Sequence, residues 1–209
     1  MKFVLASNNA KKISEMRRIL EKIAPDVELL SLADVGYISD IEENGKTFVE
    51  NALIKARVPA SLGYIGIADD SGLAVDALGG APGVYSARYA GEGHDDKANK
   101  AKLLRELEGV ADEDRTAHFV CVIACVFPES YGISPIVCEG RCDGIITREE
   151  RGDGGFGYDP LFYVPSEGAT FAEIPPERKN EISHRGRALR AFAEAIAPLF
   201  NDLEEKKST

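Results

Sequence analysis

Short apolar runs alternate with stretches of helical period along this chain, the pattern of an α/β protein. Lys2 to Ala6 predicts a first strand. Ile13, Met16, Leu20 and Ile23 recur at the spacing of one buried helix face, which predicts a helix from about Ala10 to Ile23. Ser7 and Asn8 are the expected N-cap types for it. Val27 to Leu30 predicts a second strand, and residues 31–46 read as an irregular acidic segment. Thr47-Phe48-Val49-Glu50 has the form of a capping box. It opens a helix to about Leu62, with Phe48, Ala52 and Ala56 on one face and Gly63 at its end. Tyr64 to Ala68 is a strand expected to end at Asp69-Asp70, where Ser71-Gly72 breaks the run, with a further short β element over Leu73 to Ala77.

Asp95-Asp96 opens a third helix that runs to about Leu107. Ala117 to Phe127 and Ile136 to Thr147 are expected to pair as a hairpin about Tyr131-Gly132, and Leu161 to Val164 is another strand. Phe171 to Glu181 reads as mixed, with Pro175-Pro176 and the charged run Glu177-Arg178-Lys179. Ser183 reads as the N-cap of a last helix whose Leu189, Phe192 and Ile196 face inward. Residues 201–209 are polar and expected to fray, which leaves 1–200 as one domain.

The 209 residues, 44% of them hydrophobic and 29% charged, are enough to bury a core. No apolar run approaches a membrane span, and the four-residue run near Met1 is too short for a signal-peptide core, so a cytoplasmic protein without a membrane partner is expected. A net charge of −10 excludes a broad nucleic-acid surface. A polyanion would have to enter a pocket where lysines and arginines gather. Cys121, Cys125, Cys138 and Cys142 form two C-x-x-x-C pairs, but cysteines four apart on a strand sit about 13 Å apart, so neither pair chelates zinc by itself. In the expected hairpin Cys121 faces Cys142 and Cys125 faces Cys138, and a cytosolic address favours free thiols.

The chemistry-bearing residues collect in four places. Ser7, Asn8 and Asn9, followed by Ala10, Lys11 and Lys12, place a polar loop and two lysines at a helix N-terminus, where free N–H groups bind phosphate. Asp69 and Asp70, with Glu42 or Glu43, are hard oxygen ligands of the kind Mg²⁺ takes. Phe156, Gly157, Tyr158 and Asp159 lie in a glycine-rich loop whose aromatic rings suit stacking on a base. Lys179, His184 and Arg185 add donors; His184 and Arg185 sit in a helix's first turn against its dipole, which points to partners elsewhere. Each place has a bland reading too: a capped helix, dipole-friendly surface acids, core-filling aromatics, solvated charges. Together they suit a nucleoside triphosphate and Mg²⁺.

The segments SNNAKK (7–12), KTFVENA (46–52), ADDSGL (68–73), GGFGYDP (154–160) and SHR (183–185) stand in order and at sensible spacing. With these, the chain from about residue 2 to 200 resembles the inosine triphosphate pyrophosphatase family. The resemblance implies an elongated mixed β-sheet flanked by helices, in two lobes with a central active-site cleft. It also implies hydrolysis of ITP, dITP and XTP to the monophosphate and pyrophosphate, a house-cleaning role, Mg²⁺ dependence and a homodimer. Residue by residue, it implies a triphosphate loop at Ser7 to Lys12, a catalytic acid and metal ligand at Asp70, and a second metal ligand at Glu43, with Glu42 adjacent. Ser71 matches a substrate contact. Phe156, Gly157, Tyr158, Asp159, Lys179, His184 and Arg185 match the base pocket. The alternatives are a Maf-like pyrophosphatase of different base preference, whose motifs match less well, and a non-catalytic nucleotide-binding protein, for which three acids beside a triphosphate would have no use.

Overall fold

The computed structural model describes residues 2–7, 9–23 and 28–199, apart from the side chains of residues 10, 11, 15, 22 and 23. Strand β1 (Lys2–Leu5) leads into helix α1 (Ala10–Ile23), and strand β2 (Glu28–Ser31) returns parallel to β1. Helix α2 (Phe48–Ser61) precedes strand β3 (Ile65–Val75), which lies parallel to β1 on its other side. Helix α3 (Asp96–Glu106) is followed by the long strands β4 (Thr116–Val126) and β5 (Ile136–Ile146). The short strands β6 (Phe162–Val164) and β7 (Ala169–Thr170) close the sheet in antiparallel fashion. Helices α4 (Pro176–Ile182) and α5 (His184–Ile196) come last. The strand order is β2-β1-β3-β4-β5-β6-β7, one mixed sheet of seven strands.

The chain divides into two compact units, the first of residues 1–70, 121–140 and 185–209 and the second of residues 71–120 and 141–184. In the first unit, Phe3, Leu5, Ile65 and Ile67 pack with Met16 and Leu20 of α1 and Leu189 and Phe192 of α5. In the second, Leu73 and Val75 pack with Leu103 and Leu107, and with Phe119, Phe162 and Phe171. The periodicities read from the sequence are thus met on α1, where Met16 and Leu20 are buried, and on α5, where Leu189, Phe192 and Ile196 are fully buried.

Several expectations fail for identifiable reasons. Strand β3 does not stop at the acid pair: it runs unbroken through Asp69, Asp70, Ser71 and Gly72 to Val75. Every residue of it except Ser71 is buried, so burial of the strand outweighs the turn preference of an Asp-Asp-Ser-Gly sequence. Helix α1 is capped by Asn9, whose Oδ1 accepts the Lys12 amide at 3.1 Å, rather than by Ser7, which accepts the Asn9 amide at 3.2 Å. Asn8 lies outside the described residues, as do Val27, the expected start of β2, and the tail 201–209. Helix α4 was hidden by its proline pair, yet Pro176 at its first position is pre-organised for a helix. Ser183 ends α4 and, in extended conformation directly before His184, also stands at the N-cap position expected of it for α5. At α2, Thr47 accepts the Glu50 amide as expected, but Glu50 takes the Lys46 amide at 2.6 Å. The four cysteines are buried thiols, and burial pushes the Cys125 thiol far above its ordinary range.

Helix α2 lies directly on β3 at Gly66, where a Cβ would stand 2.1 Å from the Ala56 carbonyl oxygen and 2.7 Å from Pro59. Backbone on both sides cannot yield cheaply. Replacing Gly66 by Ala is expected to cost about 3 kcal/mol, read as a fall in the urea midpoint at unchanged slope, since overpacking a tight contact carries that order of penalty.

Candidate active site

Successive residues of a strand face opposite ways, so Asp69 and Asp70 address different helices. Asp69 shares its face with Ile65 and Ile67, which pack on α1 and α5. Those helices supply its cations: Lys12 Nζ lies 3.1 Å and Arg185 Nη2 3.2 Å from Asp69 Oδ2. Burial alone would raise the pKa of this carboxylate, but Lys12, Arg185 and Lys55 overwhelm that and hold it well below the ordinary range. Asp69 is a fixed anion.

Asp70 shares its face with Gly66 and looks toward α2. Lys55 Nζ lies 2.8 Å from Asp70 Oδ1 and 2.9 Å from Glu43 Oε2, so two carboxylates converge on one ammonium. Asn51, one turn before Lys55, donates to Asp70 Oδ2 at 3.4 Å and accepts the Gly45 amide at 2.8 Å, which ties the acidic loop to the strand. Burial dominates here: with Glu43 adding to it, it lifts Asp70 to about 6 despite Lys55 and Lys12. Burial also works against the charge on Glu43, but Lys55 prevails and lowers it. Burial opposes the charge on Lys55 in turn, and Asp70, Asp69 and Glu43 together raise its pKa. Glu42 is exposed, so Glu43 is the acid gathered to Asp70.

These residues fit a magnesium ion. Two hard carboxylates already meet at a cation position, and among the described residues no three acid, histidine or cysteine side chains form a complete cage. Mg²⁺ is held in that way, through one or two carboxylates, with waters and substrate phosphates filling the remaining positions.

In the second unit, Asp159 organises the glycine-rich loop. Its Oδ2 accepts the Phe156 amide at 2.8 Å and meets Lys179 Nζ at 2.7 Å. Lys179 Nζ stands 5.3 Å from the Phe156 ring centre, and equally from that of Phe171. His184 stacks on Phe119, with ring centres 4.7 Å apart and 12° between planes. The Tyr158 ring is buried in the apolar core and its hydroxyl donates to the Ser86 carbonyl at 2.9 Å, as in the core-filling reading of the loop's aromatics. The Gly157 amide donates to Asp96 at 3.0 Å. Arg185, expected with the base pocket, sits on Asp69, because consecutive residues of α5 point about 100° apart and His184 takes the aromatic side.

The Ham1 family model matches residues 3–195 of this chain. The chain belongs to the Ham1 family. Among its relatives, a Desulforamulus reducens protein named dITP/XTP pyrophosphatase is 50% identical over 201 residues, 96% of this chain and 98% of the relative. A Shigella flexneri protein of the same name is 50% identical over 196 residues, covering 93% and 98%. The structure of a HAM1 protein from Coxiella burnetii superposes with a TM-score of 0.85 at 46% identity, over 95% of this chain and 99% of that one. The seven-stranded mixed sheet flanked by helices is thus the α/β fold of Ham1 structures.

In this Ham1 chain the sequence reading missed Asn51 and Lys55. Both lie four apart on α2, and both are buried beside Ala52, Ala56 and Pro59. That is the available signal: a lysine on the apolar stripe of a helix needs an acid to meet. Lys12, assigned to phosphate, rests on Asp69, and Ser71 is half-buried directly after the acid pair. Lys11 and Ala10 lie in the first turn of α1.

Asp70 makes metal-free stability depend on pH. Its folded pKa of about 6 lies above the ordinary 3.8, so its contribution is fully present below about pH 3.8 and is lost as pH rises through 6. At about 1.4 kcal/mol per pKa unit, the loss is on the order of 3 kcal/mol. Asp70→Asn removes it. In EDTA, urea unfolding from pH 4 to 7 is expected to show the wild type losing that much stability relative to the variant; parallel curves would contradict the elevated pKa.

Proposed function

We propose that this protein hydrolyses non-canonical purine nucleoside triphosphates (ITP, dITP and XTP) to the nucleoside monophosphate and pyrophosphate, clearing deaminated purines from the nucleotide pool. The observation that carries the reading is the convergence of Glu43 and Asp70 on Lys55, beside an acid already neutralised by Lys12 and Arg185. The names of the relatives supply the substrate class.

In this reading Glu43 and Asp70 hold Mg²⁺, which supplies charge neutralisation on the phosphates and polarisation of the attacked phosphorus. The loop at Ser7, Asn8 and Asn9, the first turn of α1 with Ala10 and Lys11, and Lys12 take the triphosphate. Ser71 contacts the substrate next to Asp70. Asp70 accepts a proton from the attacking water or orients it, and Asp69 maintains the electrostatic frame that keeps Lys12 and Arg185 in place. Phe156 offers a face to the base, and Lys179 and His184, with Asp159 fixing Lys179, offer donors to its 6-oxygen. Adenine presents an amino group there and would leave buried donors unpaired, which gives strong discrimination. The protein works as a homodimer in the cytoplasm, without nucleic acid or membrane; no helix among the described residues is long and apolar enough to cross one.

The test is a product assay with Mg²⁺ and dITP, XTP, dATP or dGTP, resolved by anion exchange. Monophosphate and pyrophosphate are expected from dITP and XTP, and Asp70→Asn is expected to lower turnover by about 10³-fold or more with the fold intact. Orthophosphate and a diphosphate as products would place cleavage at the γ-position. Binding of ITP without turnover would favour a nucleotide-binding protein.

A further inference from the structure

We propose that Asp96 is a positioning residue for base recognition, setting the Phe156 platform through the Gly157 amide; the inference rests on the function proposed above. Helix α3 begins with two adjacent acids that do different things. Asp95 is the N-cap, its Oδ1 accepting the amides of Lys97 and Ala98 at 2.9 and 3.1 Å. With the helix end already capped, the Asp96 carboxylate instead reaches a residue 61 positions along the chain and accepts the Gly157 amide at 3.0 Å.

The receiving loop needs such a hold. Gly152, Gly155 and Gly157 all have positive φ, and glycines give a loop many alternative conformations. Other fastenings act on neighbouring residues of the loop: the Gly154 amide donates to the Ala172 carbonyl at 3.1 Å. Asp159 Oδ2 accepts the Phe156 amide, and the Asp159 amide donates to the Phe156 carbonyl at 3.2 Å. The Tyr158 hydroxyl is buried on the Ser86 carbonyl. Ser86 is itself fixed, its Oγ accepting the Leu73 amide at 2.9 Å. The turn that carries Ser86 is joined to α3 by Asn99, whose side chain accepts the Ala90 amide at 2.6 Å and donates to the Ala87 carbonyl at 3.1 Å. The segment from Gly83 to Glu106 is therefore a frame that holds the loop at two consecutive residues, Gly157 and Tyr158. Asp96 makes the exposed hold of the two. It fixes the plane of the Phe156–Gly157 peptide, and hence the tilt of the Phe156 ring beneath Lys179.

The test separates positioning from simple helix stabilisation. Asp96→Ala removes the acceptor; Asp96→Asn keeps an acceptor oxygen but removes the charge that favours a helix N-terminus. In Asp96→Ala, hydrogen exchange at the Gly157 amide is expected to rise. The KM for dITP should rise about tenfold, the scale of one hydrogen bond to a charged group, with kcat within about threefold of wild type. Preference for dITP over dATP should fall in parallel. Asp96→Asn should restore the exchange, KM and selectivity, whatever its effect on Tm. Unchanged Gly157 exchange in Asp96→Ala would overturn the proposal, as would raised exchange with KM and selectivity unmoved, or failure of Asp96→Asn to restore them. A wild-type protein that leaves dITP intact would instead sink the hydrolase reading, while the exchange measurement would still decide whether Asp96 holds the loop.

Discussion

Two negative charges stand in the middle of β3, a strand buried along all but one of its residues. Ionised carboxylates are tolerated in such a place only when cations and hydrogen-bond donors come to them. Much of the first unit follows from that requirement. Helices α1 and α5 pack on one face of β3 through Met16, Leu20, Leu189 and Phe192, and each extends a cation, Lys12 or Arg185, to Asp69. Helix α2 packs on the other face and brings Lys55 and Asn51 to Asp70. The apolar contacts set where the helices lie, and the acid pair sets which residues must stand at their ends and along their stripes.

The closeness of α2 to β3 has its own cause. Gly66 and Ala68 are the small residues that precede Asp70 on its face, and the Ala56 carbonyl occupies the space a Cβ at Gly66 would need. With any larger residue the helix would stand off the strand, and Lys55, next to Ala56, would be carried away from Asp70. A glycine one turn of strand from the acids therefore contributes to the electrostatics of the site without touching it. Glu43 depends on the same helix, since Asn51 holds the acidic loop at Gly45 and Lys55 holds Glu43 itself.

The parts of this arrangement that are local in sequence are the parts that can be read from it. The apolar periods of α1 and α5, the Thr47 cap, the Asp95 start of α3 and the two long hairpin strands are all decided within a few residues. The course of β3 through Asp69-Asp70-Ser71-Gly72 is decided by burial of the strand in the fold, which no local preference reports. Tyr158 depends on distant partners in the same manner: between glycines it reads equally as a stacking ring or a core plug, and the Ser86 carbonyl and an apolar core receive it. Lys55 and Asn51 are polar residues on a buried stripe, and their meaning appears only once their partners are known. Helix α4 was hidden for a different reason, because Pro175-Pro176 is equally at home in a loop and at a helix start.

The two acids also differ in the number of cations on each member. Asp69 is contacted by two, Lys12 and Arg185, and is held ionised at every pH at which the protein would work. It cannot take up a proton and keep that environment satisfied. Asp70 shares its one contacting cation with Glu43, and burial outweighs that half-share, lifting it to about 6. Of two adjacent, chemically identical side chains, Asp70 is the one that can exchange a proton near neutral pH. A one-residue step along a strand turns each carboxylate to a different set of helices, and that step separates an acid held ionised by two cations from one that shares its cation with Glu43.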